Sequence, residues 1–187
     1  MTEPGRLRSR LAQYEDALPG HRVELVEASI VAHRVRPHHN ATIRGVWNAL
    51  RAQLSGDWGF TSDVAFVFDG ETELCPDLAV IPDAAVAENR SAYDPDLIEL
   101  VVEVVSPGSV RRDYEIKPRL YAARGIANYL VFDPYQARCV TFWHPTADGY
   151  QGRDTIPYGK DVTLDSGLGA LTIDTSELPR DAVAPTD

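Results

Sequence analysis

The sequence reads CPDLAV at residues 75–80 and LVVEVVSP at residues 100–107, and these two stretches decide the fold. Each is an apolar strand that carries one carboxylate: Asp77 begins the first strand, and Glu103 lies in the middle of the second. Burying a carboxylate among apolar side chains costs free energy unless its charge is compensated. Two such carboxylates that converge in space form a site for a hard divalent cation. The pair therefore predicts a metal site on neighbouring strands.

The longest predicted strand covers residues 97–105 and contains Glu103. Because side chains alternate along a strand, Glu103 shares a face with Glu99 and Val101. The opposite face includes Leu100, Val102 and Val104, all of them apolar. Two largely apolar faces predict a central strand that is covered on both sides. A partly exposed strand glutamate is the alternative for Glu103, and the apolar neighbours favour burial.

Helices and strands are predicted on both sides of this pair. The patterns predict helices over 6–17, 38–54 and part of 113–124, the last ending at Gly125. They predict strands over 23–35 (as a hairpin turning near 27–29), 63–68, 78–81, 128–132, 139–143, 149–156 and 171–173. Residues 82–96 are polar and predict a long loop, and residues 179–187 predict a frayed tail. This order predicts an α/β or α+β fold with a mixed sheet.

Composition limits the class of protein. A chain of 187 residues, 44% of them hydrophobic, is long enough for one domain with a real core. No apolar run reaches the ~20 residues needed to span a bilayer, and the N-terminus lacks the apolar segment of a secretory signal. Cys75 and Cys139 lie outside any metal-binding spacing, so neither a disulfide scaffold nor a zinc site is expected. These features predict a cytoplasmic protein without membrane contact.

The net charge of −10 argues against general affinity for a polyanion such as nucleic acid. Local basic clusters can still bind phosphates. Three are candidates: Arg6 with Arg8 and Arg10, residues 33–39, and Arg111 with Arg112. Solvated surface charge is the alternative interpretation of each cluster.

Lys117 is the third candidate for chemistry. On a helix it shares a face with Asp113, four residues earlier, and with Tyr121. A lysine beside a metal site can orient the attacking water or stabilise charge on phosphorus. A surface ion pair with Asp113 is the alternative. Because proline fits only the first turn of a helix, Pro118 predicts that the regular helix begins near residue 115.

Taken together, these motifs resemble the Uma2 family, bacterial restriction-endonuclease-like proteins with the PD-(D/E)XK nuclease fold. The resemblance spans about residues 14–178. It rests on these segments and residues: 23–26, His38-His39, Pro76-Asp77, 101–107, Ser109, Asp113, Glu115, Lys117, Leu120-Tyr121, Gly125, Tyr129, Asp133-Pro134 and 148–150. It implies one restriction-endonuclease-like domain over residues 1–187, with a mixed β-sheet flanked by helices.

The resemblance also implies a role for particular residues. Asp77 and Glu103 would bind Mg²⁺ or Mn²⁺. Lys117 would replace the lysine that usually follows the glutamate by two residues, where this sequence has Val105. Glu24 matches a glutamate on an early strand that adds a further catalytic carboxylate. The family often has a histidine where His38 and His39 stand, and either could approach the site from the start of the helix. An exposed residue at the helix start is the alternative, so neither receives a role.

The predicted activity is metal-dependent hydrolysis of phosphodiester bonds in nucleic acid, with DNA as the leading candidate substrate. A homodimer is expected if both strands of a duplex are cut. Two alternatives stay open. One is a non-catalytic domain that binds nucleic acid or protein and keeps the nuclease fold, and the other is a hydrolase of small phosphoesters. The acidic charge favours the alternatives, whereas the intact set of Asp77, Glu103 and Lys117 favours catalysis.

Overall fold

The computed structural model describes residues 3–18, 21–33 and 36–181. The α-helices are α1 (Glu3–Ala17), α2 (Pro37–Arg51), α3 (Asp83–Ala87) and α4 (Lys117–Ala123). The strands are β1 (Arg22–Val26), β2 (Ser29–His33), β3 (Trp58–Thr61), β4 (Ala65–Val67), β5 (Glu73–Leu74), β6 (Leu78–Pro82), β7 (Ala92–Tyr93), β8 (Leu100–Val104), β9 (Asn128–Asp133), β10 (Arg138–Thr146), β11 (Gly149–Pro157), β12 (Val162–Ser166) and β13 (Gly169–Ile173). A 3₁₀ turn covers Pro95–Leu97, and a π-helical turn covers Arg112–Ile116.

The main sheet has six strands in the order β11-β10-β9-β8-β6-β3. Strand β8 pairs antiparallel with β6 and parallel with β9, so the sheet is mixed and β8 is central, as predicted. Leu100, Val102 and Val104 pack into one apolar cluster, and Val101 and Val105 pack into the other. The two faces of β8 therefore lie in two separate cores, which confirms the interpretation of its double-sided apolar pattern.

A second sheet, in the order β2-β1-β5-β4-β7, brings the N-terminal hairpin against the middle of the chain. The hairpin turns at Glu27 and Ala28, both of which have positive φ, as a two-residue turn between strands requires. The predicted hairpin and its turn are confirmed for the described residues; Arg34 and Val35 lie outside them. Because β1 also pairs with β5, its buried face lies close to the start of β6.

Several predictions differ from the structure. Residues 82–96 were expected to form a loop, but they contain α3, β7 and the 3₁₀ turn. Tyr93 explains part of this difference, because it is buried in β7 beside Phe66 of β4, a pairing set by distant sequence. Strand β8 begins at Leu100 and not at residue 97, because the 3₁₀ turn precedes it. Strands β3, β5 and β12 were not predicted. Of the predicted tail, residues 182–187 lie outside the described residues.

The helix that carries Lys117 begins with an irregular turn. The π-helical turn ends at Ile116, and α4 begins at Lys117 with Pro118 in its first turn. Proline has no N–H to donate to the preceding turn, so a break in the regular hydrogen-bond ladder is expected before it. The predicted start near residue 115 is therefore close to the observed start. π-Helical turns occur frequently at functional sites.

Candidate active site

Four carboxylates and one lysine meet where β1, β6, β8 and the start of α4 come together. They are Glu24 on β1, Asp77 before β6, Glu103 on β8, Asp113 in the π-helical turn and Lys117 at the start of α4. Each is at most 2% exposed. The structure thus brings together all four sequence-predicted site residues, and it adds Asp113.

Lys117 lies at the centre of this cluster. Its Nζ is 2.8 Å from Glu103 Oε1, 3.2 Å from Glu24 Oε1 and 3.9 Å from Asp113 Oδ1. Glu103 Oε1 also accepts a hydrogen bond of 2.8 Å from the Tyr121 hydroxyl. A lysine on the following helix therefore reaches the glutamate of β8, although Val105 occupies the position two residues after that glutamate. The surface ion pair considered for Lys117 is excluded by its burial.

Asp77 lies beside Glu103 because of strand register. Leu78 pairs with Val102 in the antiparallel β6–β8 pair. Asp77, just before Leu78, therefore lies opposite Glu103, just after Val102. The Asp77 carboxylate is fixed on several sides. Oδ2 accepts a hydrogen bond of 2.6 Å from the Val104 backbone N–H and lies 3.1 Å from Nε2 of His39 at the start of α2.

Arg22 is the residue of this site that sequence reasoning missed. Its Nη1 pairs with Asp77 Oδ1, and its Nη2 pairs with Asp63. The available signal was alternation along β1, because Arg22 and Glu24 are two residues apart and share a face. Its pairing with Asp77, 55 residues later, depends on how the second sheet meets the first and has no local signature.

Asp113 was noted only as a helical neighbour of Lys117. In the structure its Oδ2 accepts a hydrogen bond of 2.5 Å from Ser109 Oγ, and its backbone carbonyl accepts one of 2.8 Å from the Tyr129 hydroxyl. Ser109 in turn accepts a hydrogen bond from the Ser106 backbone N–H. The turn after β8 is thus connected directly to the π-helical turn and holds the Asp113 side chain toward Lys117.

Two carboxylates of the cluster, those of Glu103 and Asp113, have raised pKa values. Burial, reinforced by repulsion from Asp77, Asp113 and Glu24, raises the pKa of Glu103 to about 8 despite the attraction of Lys117. Burial also raises the pKa of Asp113 to about 6. Because these groups share one lysine, the extra proton belongs to the cluster and not to one residue. The cluster therefore holds a proton near neutral pH.

Asp77 and Lys117 stay charged. Burial would raise the pKa of Asp77, but the Arg22 guanidinium and His39 outweigh it and hold that pKa well below its ordinary value. Burial would likewise lower the pKa of Lys117, but Glu103, Glu24 and Asp113 raise it instead. The site therefore combines a fixed anion, a fixed cation and a protonatable carboxylate.

We expect the free energy of unfolding of the metal-free protein to fall as pH rises from about 6 to about 8. In this range the folded protein holds a proton in the cluster, where the pKa of Glu103 is raised from 4.5 to about 8, and the unfolded chain does not. Stability is then lost with increasing pH, at up to ~1.4 kcal/mol per pH unit. The lowered pKa of Asp77 acts only at acidic pH. Urea unfolding at several pH values measures the slope.

The matched variant for this measurement is Glu103→Gln, which cannot release the proton. Its free energy of unfolding should be nearly independent of pH above about 6. Below that, Asp113, whose pKa is about 6, still makes the free energy of unfolding depend on pH. Wild-type stability that increases between pH 6 and 8 would contradict the assignment of a raised pKa to this cluster.

A divalent cation has suitable donors here but no vacant position. Carboxylate oxygens such as those of Asp77 and Glu103 are what Mg²⁺ and Mn²⁺ prefer. Within the described residues, no three His, Cys, Asp or Glu side chains form a ready ligand set. The cavity between the side chains is about 10 Å³, space for about one water molecule. The donor chemistry fits a metal ion, provided that Arg22 leaves Asp77.

A larger cavity lies elsewhere. It measures about 580 Å³, and it opens between strands β10 and β11 and the β12–β13 hairpin. Its lining includes Trp143, Asp154 and Asp165 but none of the sequence-predicted site residues. The described residues of this lining include no lysine or arginine, so it offers no permanent cation to a phosphate. Separately, none of the helices described is both long and apolar enough to cross a membrane.

Comparison with known proteins shows a similar fold and the family. A crystal structure described as a "putative nuclease belonging to DUF820", from Anabaena variabilis ATCC 29413, is similar in fold, with a TM-score of 0.64 and 15% identity. The match covers 83% of this chain and 88% of that one. The Uma2 family model, described as "Putative restriction endonuclease", matches residues 11–176, and the chain belongs to this family. Among curated proteins, none matches this chain.

These comparisons confirm two predictions made from the sequence. The resemblance to Uma2 holds over nearly the predicted range, and the α+β fold with a mixed sheet matches that of a nuclease-like neighbour. At 15% identity the structural similarity concerns the fold alone. The roles of individual side chains are therefore argued from this chain's own geometry.

Proposed function

We propose that this protein is a metal-dependent nuclease that hydrolyses phosphodiester bonds in nucleic acid, with an active site formed by Asp77, Glu103, Lys117 and Glu24. One observation carries the proposal: Asp77 and Glu103 face each other across central strands, and Lys117 Nζ lies 2.8 Å from Glu103. Membership of the Uma2 family supports it.

Asp77 and Glu103 would hold Mg²⁺ or Mn²⁺, which when bound polarises a phosphoryl group and lowers the pKa of its water. The remaining groups act through position. Val104 N–H and His39 fix the Asp77 carboxylate, and the Tyr121 hydroxyl fixes Glu103. Preorganised ligands of this kind avoid reorganisation at the moment of reaction.

Lys117 has the charge and the location for electrostatic catalysis. Its ammonium group can donate a hydrogen bond to the attacking water or to a phosphate oxygen, stabilising the negative charge that develops there. Glu24 Oε1 lies 3.2 Å from Nζ and Asp113 Oδ1 lies 3.9 Å from it, so both hold the ammonium in place. We assign Glu24 to positioning Lys117.

Nucleic acid would approach along the basic residues at the edge of the site. Arg112 lines the small cavity, and Arg111 beside it is exposed. Of the three predicted basic clusters, this is the one in which every side chain is described. The side chains of Arg6, Arg8 and His33, and the whole of Arg34, lie outside the described residues. With a net charge of −10, binding should be weak and strongly dependent on salt.

A second candidate function has one observation in its favour. The cavity of about 10 Å³ and the pairing of Arg22 with Asp77 describe a closed site, as expected for a non-catalytic domain that binds nucleic acid or protein and keeps the fold. We retain the nuclease as the proposal, because the chain belongs to the Uma2 family, whose model is described as "Putative restriction endonuclease". We further propose a single cytoplasmic domain over residues 1–187 that acts on DNA as a homodimer.

The test is phosphodiester cleavage of single- and double-stranded DNA and RNA across Mg²⁺ and Mn²⁺ concentrations and ionic strengths. We expect slow cleavage that requires the added cation and declines with salt. Lys117→Ala should lower the turnover rate by about 10²–10³-fold, because it removes an electrostatic contact to the reacting groups. Metal affinity, measured separately by calorimetry, should change far less. Normal cleavage by Lys117→Ala would refute the assignment of this lysine.

A further inference from the structure

We propose that Arg22 sets the metal affinity of this site: its guanidinium occupies the cation position beside Asp77 in the metal-free protein, and a divalent cation binds when that guanidinium moves to Asp63. The inference rests on the proposed metal-dependent function and adds its regulation. It assigns Arg22 as a positioning residue that determines when the carboxylates become available.

The first support is that the Asp77 carboxylate is fully engaged. Arg22 Nη1 pairs with Oδ1, whereas Oδ2 accepts the Val104 N–H and contacts His39. The cavity of about 10 Å³ has space for about one water molecule. A cation with its hydration shell therefore has no place beside Asp77 while Arg22 stays.

The second support is the charge of the cluster. Four buried carboxylates, those of Glu24, Asp77, Glu103 and Asp113, face two permanent cations, Lys117 and Arg22. Lys117 is shared among three of the carboxylates, so Asp77 depends on Arg22 for its counter-charge. Removing Arg22 without replacement leaves a buried anion that is compensated only by hydrogen bonds, which is costly. A metal ion supplies the same counter-charge, and the two cations are therefore competitors for one anion.

The third support is the second partner of Arg22. Its Nη2 pairs with Asp63, whose side chain is 55% exposed, whereas the side chain of Asp77 is 2% exposed. Asp63 has a left-handed backbone conformation (φ 59°), and its N–H donates to the Pro76 carbonyl at 3.1 Å. This exposed anion is thus anchored to the segment that precedes Asp77. Arg22 can leave the buried carboxylate and keep an anionic partner at the rim of the site.

The experiment measures Mn²⁺ affinity without nucleic acid, by the electron paramagnetic resonance signal of free Mn²⁺, in wild type and Arg22→Met. Methionine keeps much of the stem and removes the charge. We expect the dissociation constant of Arg22→Met to be at least about tenfold lower than that of wild type, since the competitor is absent. Adding Glu103→Gln should abolish this gain, because it removes a ligand. Arg10→Met, at an exposed helical position, should leave the constant unchanged.

Arg22→Lys provides a second variant in case Arg22→Met does not fold without metal. A lysine keeps the charge but lacks the planar guanidinium that bridges Asp77 and Asp63. We therefore expect Mn²⁺ to bind Arg22→Lys about threefold more tightly than wild type. Equal or weaker Mn²⁺ binding by both Arg22 variants, with wild type still binding, would refute the role of Arg22 and leave the metal site intact. Failure of wild type and all variants to bind Mn²⁺ would refute the metal site and the role of Arg22 together.

Discussion

Replacing Lys117 with methionine is expected to lower the free energy of unfolding by about 3–5 kcal/mol at pH 8. The ammonium is 2% exposed and lies within 4 Å of Glu103, Glu24 and Asp113, so its removal leaves buried carboxylates without their shared counter-charge. Methionine is close in shape, which limits the loss of packing. The measurement is urea unfolding of the metal-free protein.

The loss should be smaller at lower pH. Protonation of the carboxylates neutralises them, and the pKa values of Glu103 and Asp113, already raised to about 8 and about 6, should rise further without the lysine. Lys160, the other lysine of the chain, is exposed and provides the matched control. Lys160→Met should change the free energy of unfolding by less than about 0.5 kcal/mol. A similarly small effect of Lys117→Met would show that the buried cluster does not depend on this cation.

The sequence predicts the central part of the fold well because its signals are local. The alternation around Glu103 predicts a strand covered on both faces, and β8 has that position. The segment between β6 and β8 was not predicted correctly, because Tyr93 gains its stability from a strand about 27 residues earlier. By contrast, Val162-Thr163-Leu164-Asp165 alternates apolar and polar residues, so the missed strand β12 carried a readable signal.

The sequence predicts those residues of the candidate site that lie on strands or helices with a clear apolar pattern. Asp77 and Glu103 were inferred from the cost of burying charge, and Lys117 from its helical spacing. Glu24 came from the family resemblance. Arg22 could not be predicted in the same way, because it reaches Asp77 from a distant element and the contact leaves no local pattern. His39 was noted from the family resemblance but received no role, and its Nε2 lies 3.1 Å from Asp77.

The second large effect is expected for Glu103→Gln, which should abolish metal-dependent cleavage. Glutamine keeps the size of glutamate but replaces an anionic oxygen ligand with a neutral amide, so affinity for a hard cation should fall. The change also relieves repulsion among Asp77, Asp113 and Glu24, which means that the metal-free variant should be at least as stable as wild type near pH 8. Loss of activity without loss of stability separates chemistry from folding.

Metal-dependent stabilisation provides the companion readout for this variant. Mg²⁺ or Mn²⁺ should raise the melting temperature of wild type, because a ligand that binds only the folded state stabilises it. Glu103→Gln should show no such increase. An increase that persists in Glu103→Gln would locate the cation at another site.

The most direct test of the active-site assignment is the initial rate of phosphodiester cleavage with Mn²⁺ by wild type, Glu103→Gln and Glu99→Gln. Glu99 lies just before β8 on the same chain segment, is half-buried and has no part in the cluster, so its variant controls for a lost glutamate. The proposed site predicts equal cleavage by wild type and Glu99→Gln, with Glu103→Gln slower by at least about 10²-fold. Wild-type cleavage no faster than that of Glu103→Gln, on every DNA and RNA substrate, would contradict the nuclease assignment and favour the non-catalytic domain.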